Sequence, residues 1–193
     1  MKISNDTRNI FKNFSTINSG IRVKSGNKLE TISQMKNILA VATVGESFPQ
    51  DFSIYNLPEF LGATSLLDDP DFQFGDSSLT VADNNSSLAY FYASEGMVTA
   101  PDKMITMPDA EIVIDISSTL LSELQKAASV LGVNDLILSS DGTTIKLEVT
   151  DKKNTTSNTF SRIVGEGNGV SYTMNFKIEN LKVLDGNYEV SVS

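Results

Sequence analysis

A six-residue motif occurs twice in this chain of 193 residues, and it constrains the fold more than any other feature of the sequence. F-S-I-Y-N-L at Phe52–Leu57 is repeated as F-K-I-E-N-L at Phe176–Leu181. In both copies a strand pattern passes through an Asn-Leu step into a short helix. Because the order helix, strands, short helix, strands surrounds each copy, the sequence predicts an internal duplication with two α+β domains.

The N-terminal helix of the first copy is amphipathic. Ser4 or Asp6 can cap its first turn, and Gly20 can provide a left-handed end. Arg8 and Lys12 share a face roughly opposite the apolar one, so the helix is expected to pack on a sheet and present cations outward. The apolar face is formed by side chains at helical spacing: Ile10, Phe11, Phe14 and Ile17.

Alternating apolar residues and turn signals predict the remaining elements. A short helix begins at Leu57 with Asn56 as its cap, and a longer helix begins at Ser117 or Ser118 and ends at Gly132. Strands are predicted at residues 21–29, 37–44, 48–54, 72–74, 79–81, 88–92, 111–116, 135–139, 144–149, 155–164, 170–176 and 188–192.

The chain has no histidine and no cysteine. This excludes disulfides, thiolate metal sites, cysteine nucleophiles and Ser-His-Asp triads. Neither a phosphate-binding loop nor a dinucleotide fingerprint is present. We therefore expect a protein that is not an enzyme and carries no cofactor or metal. The lack of cysteine fits a reducing cytoplasm, and no apolar run is long enough to cross a bilayer.

Charge is segregated along the sequence although the net charge is −9. Residues 1–28 contain six cations against the single acid Asp6, whereas residues 37–102 contain no lysine or arginine. An acidic body with a basic strip is typical of a protein that confines its contact with a polyanion such as DNA to one surface. Chance unevenness in a short chain is the alternative interpretation.

Residues 93–110 have the composition of a connector, with Gly96, Pro101 and Pro108 and no periodic pattern. Its apolar side chains favour one of two roles. They either line a groove for a partner peptide, to which methionines adapt well, or seal the join between two domains. They are Met97, Val98, Met104, Ile105 and Met107.

Three carboxylates cluster at Asp68, Asp69 and Asp71. They lack the alternating positions and the distal glutamate of an EF-hand loop, so a solvated turn is the favoured interpretation. A hydrolase that uses a pair of these acids is an alternative, and it requires burial and one raised pKa. A phage structural or adhesion β-protein is a second alternative, suggested by the Ser/Asn/Thr-rich strands.

Three stretches resemble the DNA polymerase sliding clamps of T-even-type bacteriophages. They are the opening M-K-I-S-N-D-T and K-N-F-S-T-I-N-S-G-I, the connector V-T-A-P-D-K, and the closing N-L-K-V-L-D-G-N-Y-E-V. The resemblance implies the DNA-clamp fold with domains at 1–92 and 111–193. It also implies a head-to-tail trimeric ring around double-stranded DNA in the cytoplasm of the infected host. An ATP-dependent clamp loader and the C-terminal peptide of the polymerase are the implied partners.

The resemblance also assigns roles to residues. The helices expected to face DNA are Ser4–Ser19, Leu57–Ser65, Ser118–Leu131 and Ile178–Leu184, with the cations Lys2, Arg8, Lys12, Lys126 and Lys182. The peptide pocket is expected at Met97, Val98, Met104, Ile105 and Met107. The subunit interface is expected at two edge strands, through Leu88, Tyr90, Tyr92, Thr159 and Arg162.

The two copies differ after the short helix. In the first copy 26 residues follow it and form three strands, whereas nine residues follow Leu184 in the second. We therefore expect a truncated or shortened second copy whose last two strands are missing. Such a copy would leave sheet edges exposed.

Overall fold

The computed structural model describes residues 1–94, 96–103 and 105–193. The chain divides into two compact units, Met1–Met104 and Ile105–Ser193. This division falls inside the predicted connector, residues 93–110. No helix in the described ranges combines the length and the apolar character needed to cross a membrane.

The first unit opens with helix α1 (Asn5–Ile17), whose boundaries follow from local chemistry. Ser4 is the N-cap, and its Oγ accepts a hydrogen bond from the Thr7 N–H at 3.3 Å. Phe11, Phe14 and Ile17 are buried, as their spacing predicts. The amphipathic helix is therefore confirmed.

The prediction that Gly20 ends α1 in a left-handed conformation was wrong. The helix ends at Asn18, which has extended backbone, and Gly20 is not among the residues with positive φ. A Cβ at Gly20 would instead lie 3.1 Å from the Ile54 and Tyr55 carbonyl oxygens and from Val98 Cγ1. Glycine is required here because three neighbours approach the backbone closely.

Seven antiparallel strands and one further helix complete the first unit. Strands β1 and β4 pair, β2 pairs with β3, and β5, β6 and β7 form a meander in which β7 is an edge strand. The Met1 N–H and carbonyl also bond to Phe72 of β5. The elements are β1 (Ile21–Val23), β2 (Gly26–Ile32), β3 (Leu39–Phe48), β4 (Phe52–Ile54), α2 (Leu57–Thr64), β5 (Asp71–Phe74), β6 (Ser78–Ala82) and β7 (Ser87–Phe91).

Helix α2 has the cap that the sequence predicts, because the Asn56 side chain accepts from the Glu59 N–H at 3.2 Å. The core of this unit joins α1 and α2 to the strands through aromatic side chains. Phe48, Phe52 and Phe74 lie with ring centroids 5.4–6.2 Å apart in tilted or edge geometry. The Phe11 ring of α1 joins this group, with its centroid 6.1 Å from that of Phe48, so the helix packs on the strands.

The second unit repeats part of this arrangement. Strand β9 lies between β10 and β12, and β11 occupies the edge beyond β10, while β8 pairs with β13. In the first unit β1 likewise pairs with β4, and β2 pairs with β3. The elements are β8 (Ile112–Ile116), α3 (Ser118–Leu131), β9 (Asp135–Asp141), β10 (Thr144–Thr150), β11 (Phe160–Glu166), β12 (Ser171–Lys177) and β13 (Tyr188–Val192).

Helix α3 has the predicted boundaries. Ser117 caps it by accepting from the Leu120 N–H at 3.2 Å, and Gly132 ends it in the left-handed conformation with φ of 66°. Leu121, Leu124 and Ala128 face the core. This local agreement supports the duplication inferred from the sequence.

The predicted helix Ile178–Leu184 was wrong. Only a 3-10 turn, Ile178–Asn180, is present, and Leu181 leaves helical backbone at ψ of 63°. In the first copy L-P-E-F-L-G-A-T follows the shared Asn, whereas the second continues L-K-V-L-D-G. Asp185-Gly186 introduces turn chemistry about two helical turns after the expected start at Ile178, so the segment is too short to hold a helix without strong packing.

Candidate functional site: basic helices, edge strands and connector

The basic face of α1 lies opposite its buried residues. Lys12 is exposed, and Arg8 is half-buried with its Nε donating to the Ile3 carbonyl at 3.3 Å. The N-terminus of the helix is held by Glu46 of β3. Its carboxylate accepts from the Ser4 N–H and, at 2.5 Å, from the Thr7 hydroxyl. The sheet therefore fixes the helix that carries these two cations.

Lys2 has a different environment from the α1 cations. Its Nζ lies 2.7 Å from Asp69 Oδ2 and 3.9 Å from Asp71 Oδ2, and it also donates to the Asp69 carbonyl. The hydrogen bond to Asp69 raises the pKa of Lys2. Two carboxylates therefore offset its charge, which weakens its attraction for a further anion.

The cations predicted in the second unit lie on two elements. Lys126 is an exposed residue of α3, and Lys182 is half-buried just after the 3-10 turn. The loss of the predicted helix Ile178–Leu184 places Lys182 on irregular backbone. The DNA-facing role of all five cations stays a prediction.

Leu88, Tyr90 and Tyr92 turn toward the core of the first unit. They are partly buried, and the Tyr90 ring lies 5.1 Å from the Phe60 ring. The Tyr90 hydroxyl donates to the Asn56 carbonyl at 3.2 Å, and burial raises the pKa of Tyr90. These half-buried side chains pack β7 against the core, and their role in a subunit interface stays a prediction.

The sequence analysis did not identify the large side chain that β7 exposes to solvent. Phe91 is 73% exposed, because strand alternation points it away from the core that Tyr90 faces. Phe91 is the largest apolar side chain on this edge strand, and the alternation of S-L-A-Y-F could have identified it.

On β11, too, neighbouring side chains point to opposite sides of the strand. Arg162 forms a two-point ion pair with Glu123 of α3, through Nε at 3.2 Å and Nη2 at 2.5 Å, and lies over the Phe160 ring. Thr159 is exposed immediately before the strand. Ile163, which the sequence analysis did not select, is 70% exposed on the other side of β11. Each edge strand thus carries one exposed large apolar residue.

The start of the connector is bound to the first unit. The Ala93 N–H donates to the Ser53 carbonyl at 2.9 Å, and Asn18 Nδ2 donates to the Thr99 carbonyl at 2.8 Å. Val98 is only 5% exposed and contacts the Gly20 region. Val98 therefore seals the first unit instead of lining an open pocket.

The other pocket candidates differ from Val98. Met97 is exposed in the first unit, and Ile105 and Met107 are exposed in the second. Met104 lies outside the described residues. Three of the five candidates thus present apolar surface, and their role stays a prediction.

Of the acids at 68–71, Asp68 and Asp69 lie in a bend, and Asp71 begins β5. Asp69 pairs with Lys2 and has φ of 44°. Asp83 accepts from the N–H groups of Asn85, Asp68 and Ser86 at 2.7–3.0 Å, and these hydrogen bonds lower the pKa of Asp83. Within the described ranges, no group of three or more metal-ligating side chains could hold a metal ion.

Comparison with known sequences identifies related proteins. The family model described as DNA polymerase processivity factor matches residues 4–100. The sliding clamp of Vibrio phage KVP40 is 31% identical over 199 aligned positions, which cover 100% of this chain and 90% of the relative. The sliding clamp of Enterobacteria phage T4 is 32% identical, covering 98% of this chain and 86% of the relative.

Comparison with solved structures confirms the predicted α+β clamp fold. Proliferating cellular nuclear antigen (PCNA) from Entamoeba histolytica superposes with a TM-score of 0.66 at 14% identity, covering 96% of this chain and 84% of that one. A. fulgidus PCNA bound to the C-terminal region of FEN-1 gives 0.63 at 12% identity, covering 91% and 77%. The Helicobacter pylori β clamp bound to a DNA ligase peptide gives 0.59 at 17% identity, covering 100% and 62%.

Proposed function

This chain belongs to the family of DNA polymerase processivity factors, the sliding clamps, and we propose that it encircles duplex DNA as a ring of three protomers and tethers the replicative polymerase. The family resemblance drawn from the sequence is confirmed, and nothing supports the adhesion-protein alternative. The proposed role is topological, so we assign no catalytic residue and no cofactor.

The observation that carries the ring is the pair of edge strands β7 and β11. Each presents unpaired backbone N–H and C=O groups along one side and one exposed apolar side chain, Phe91 or Ile163. Because the two edges belong to different units, pairing β7 of one protomer with β11 of the next is a head-to-tail contact. Repetition of such a contact closes a ring when the rotation per protomer is suitable.

The proposed DNA contacts in each unit are Arg8 and Lys12 on α1 of the first unit, and Lys126 on α3 and Lys182 after the 3-10 turn of the second unit. Contacts from these cations to phosphates carry no sequence information, so the ring can slide. Lys2 contributes less, because Asp69 and Asp71 offset its charge. So few cations give weak affinity for DNA, and retention comes from enclosure.

The proposed partners are an ATP-dependent clamp loader and the C-terminal peptide of the polymerase. Exposed Met97, Ile105 and Met107 are the proposed apolar contacts for that peptide. Clamps of the same fold bound to a ligase peptide and to part of FEN-1 support peptide docking. Because the similar sliding clamps are phage proteins, the proposed location is the cytoplasm of an infected bacterium.

Light scattering on edge-strand variants tests the ring. The wild-type chain of 20.9 kDa is expected to form a species of three times that mass. Phe91→Asp and Ile163→Asp place a charge on each edge and are expected to yield monomers. Met35→Asp is the matched control, because Met35 is 86% exposed but lies outside the strands. A trimer that survives both edge substitutions would contradict the proposed interface.

A further inference from the structure

A groove of about 340 Å³ lies on the first unit, between the β1–β2 turn and the connector. Three cations, Arg22, Lys24 and Lys28, and one carboxylate, Glu30, line it. Ala100 and Pro101 form its other wall and supply apolar surface. Its net positive charge contrasts with the acidic segment 37–102, which has no lysine or arginine.

The groove and the basic face of α1 are on opposite sides of the strands. Ile21 and Val23 of β1 are buried in the core with Phe11 of α1, so alternation directs Arg22 to the other face. Leu29 is buried in the same core, and its neighbour Lys28 therefore also faces away from α1. The basic N-terminal segment of the sequence thus forms two separate positive surfaces.

Arg22 lacks a partner in the described part of the chain. Its Nε is buried and has no hydrogen-bond partner, although arginine normally pairs when its guanidinium is removed from water. The carboxylates nearby are already engaged. Glu30 pairs with Lys28 Nζ at 3.0 Å, and Asp51 Oδ1 accepts from the Ser25 N–H at 2.7 Å. The Arg22 side chain therefore lines the groove without a carboxylate partner among the described residues.

We propose that this groove binds a carboxylate of an acidic peptide segment in a partner protein, with Arg22 as the principal contact and Lys24 as support. The planar guanidinium forms two parallel hydrogen bonds to a carboxylate, which fixes its orientation. The inference rests on the proposed function in one respect: the partner is a replication protein that docks beside the connector. A DNA backbone is disfavoured because the groove faces away from the helices and is flanked by acidic sequence.

A fluorescein-labelled octa-glutamate peptide is the probe, and octa-glutamine is its neutral counterpart. Fluorescence anisotropy is expected to detect binding of octa-glutamate but not octa-glutamine. Arg22→Met should weaken binding by about tenfold, the effect of one lost charge-assisted pair. Lys36→Met is the matched control, because Lys36 is an exposed cation beyond the other end of β2, and it should leave binding unchanged.

Thermal melting separates binding from folding. Arg22→Met removes a buried donor that has no partner, so the variant should melt no lower than wild type. Equal octa-glutamate affinity in wild type and Arg22→Met would overturn the proposal, as would tighter binding of an oligothymidine of equal charge through Arg22. Light scattering of Arg22→Met distinguishes the proposed groove from the proposed ring. A variant that remains a trimer but no longer binds octa-glutamate has lost the groove contact and kept the ring.

Discussion

Glu46 is the residue through which the sheet holds α1, and its removal gives a quantitative test. Its two carboxylate oxygens accept from the Ser4 N–H and the Thr7 hydroxyl at the start of the helix. A hydrogen bond to a charged group contributes about 1.5–3 kcal/mol, and a negative charge at a helix N-terminus about 0.3–1 kcal/mol. Because Gln keeps one acceptor, Glu46→Gln should lower the free energy of unfolding by about 2 kcal/mol.

Urea denaturation at pH 7 measures this change, and Asp6→Asn is the matched control. Asp6 is an exposed acid in the first turn of α1 and has no side-chain hydrogen bond or ion pair among the described residues, so its replacement should cost only about 0.3–1 kcal/mol through the helix dipole. A double-mutant cycle of Glu46→Gln with Thr7→Val isolates the hydroxyl contact. An equal loss in the Glu46 and Asp6 variants would refute the reasoning.

The same contact predicts a pH dependence. Burial raises the pKa of Glu46, but the hydrogen bonds from Thr7 and Ser4 outweigh it and hold the pKa below its ordinary value of 4.5. A carboxylate with a lowered folded-state pKa stabilises the fold above its unfolded-state pKa and loses that contribution as the pH falls through the folded-state value. The difference between wild type and Glu46→Gln should therefore be full at pH 6 and shrink below pH 4.5. A difference that stays constant into strong acid would contradict the assignment.

Three further changes test other parts of the molecule. Asp135→Asn should lower the free energy of unfolding, measured in urea, by about 1.5–3 kcal/mol, because Asp135 is 3% exposed and accepts from Lys177 Nζ at 2.7 Å. An effect no larger than that of replacing an exposed acid would contradict this. Gly20→Ala should cost about 1–3 kcal/mol by thermal melting, whereas Gly45→Ala, whose Cβ meets nothing within 4 Å, should change little; equal effects would exclude the steric explanation. Lys12→Glu should reduce polymerase stimulation on DNA while the melting temperature is retained, and unchanged stimulation would count against the DNA-facing assignment of α1.

Most of the fold could be predicted from local features of the sequence. The caps Ser4, Asn56 and Ser117 and the left-handed Gly132 lie within a few residues of the groups they contact, so their roles could be predicted. The failure at Ile178–Leu184 came from assuming that a helix follows both copies of the six-residue repeat, although the residues after the two copies differ.

The candidate site was less predictable because its properties depend on long-range contacts. Lys2 and its partner Asp69 are 67 residues apart, so the sequence could not show that the charge is offset. The sequence predicts the same two alternative roles for all the apolar connector residues, but Val98 is buried beside Gly20 whereas Met97 is exposed. The outward direction of Ile163 could not be predicted from strand alternation, because burial along β11 does not alternate.

Retention on DNA of different topology tests the central claim most directly. The protein is loaded on a nicked circular plasmid by a cognate clamp loader with ATP and then separated from free protein by gel filtration. If it encircles DNA, it remains with the circle in moderate salt and is released when a restriction enzyme linearises the plasmid. Equal retention on circular and linear DNA would mean that binding depends on contacts alone, and it would contradict a sliding ring.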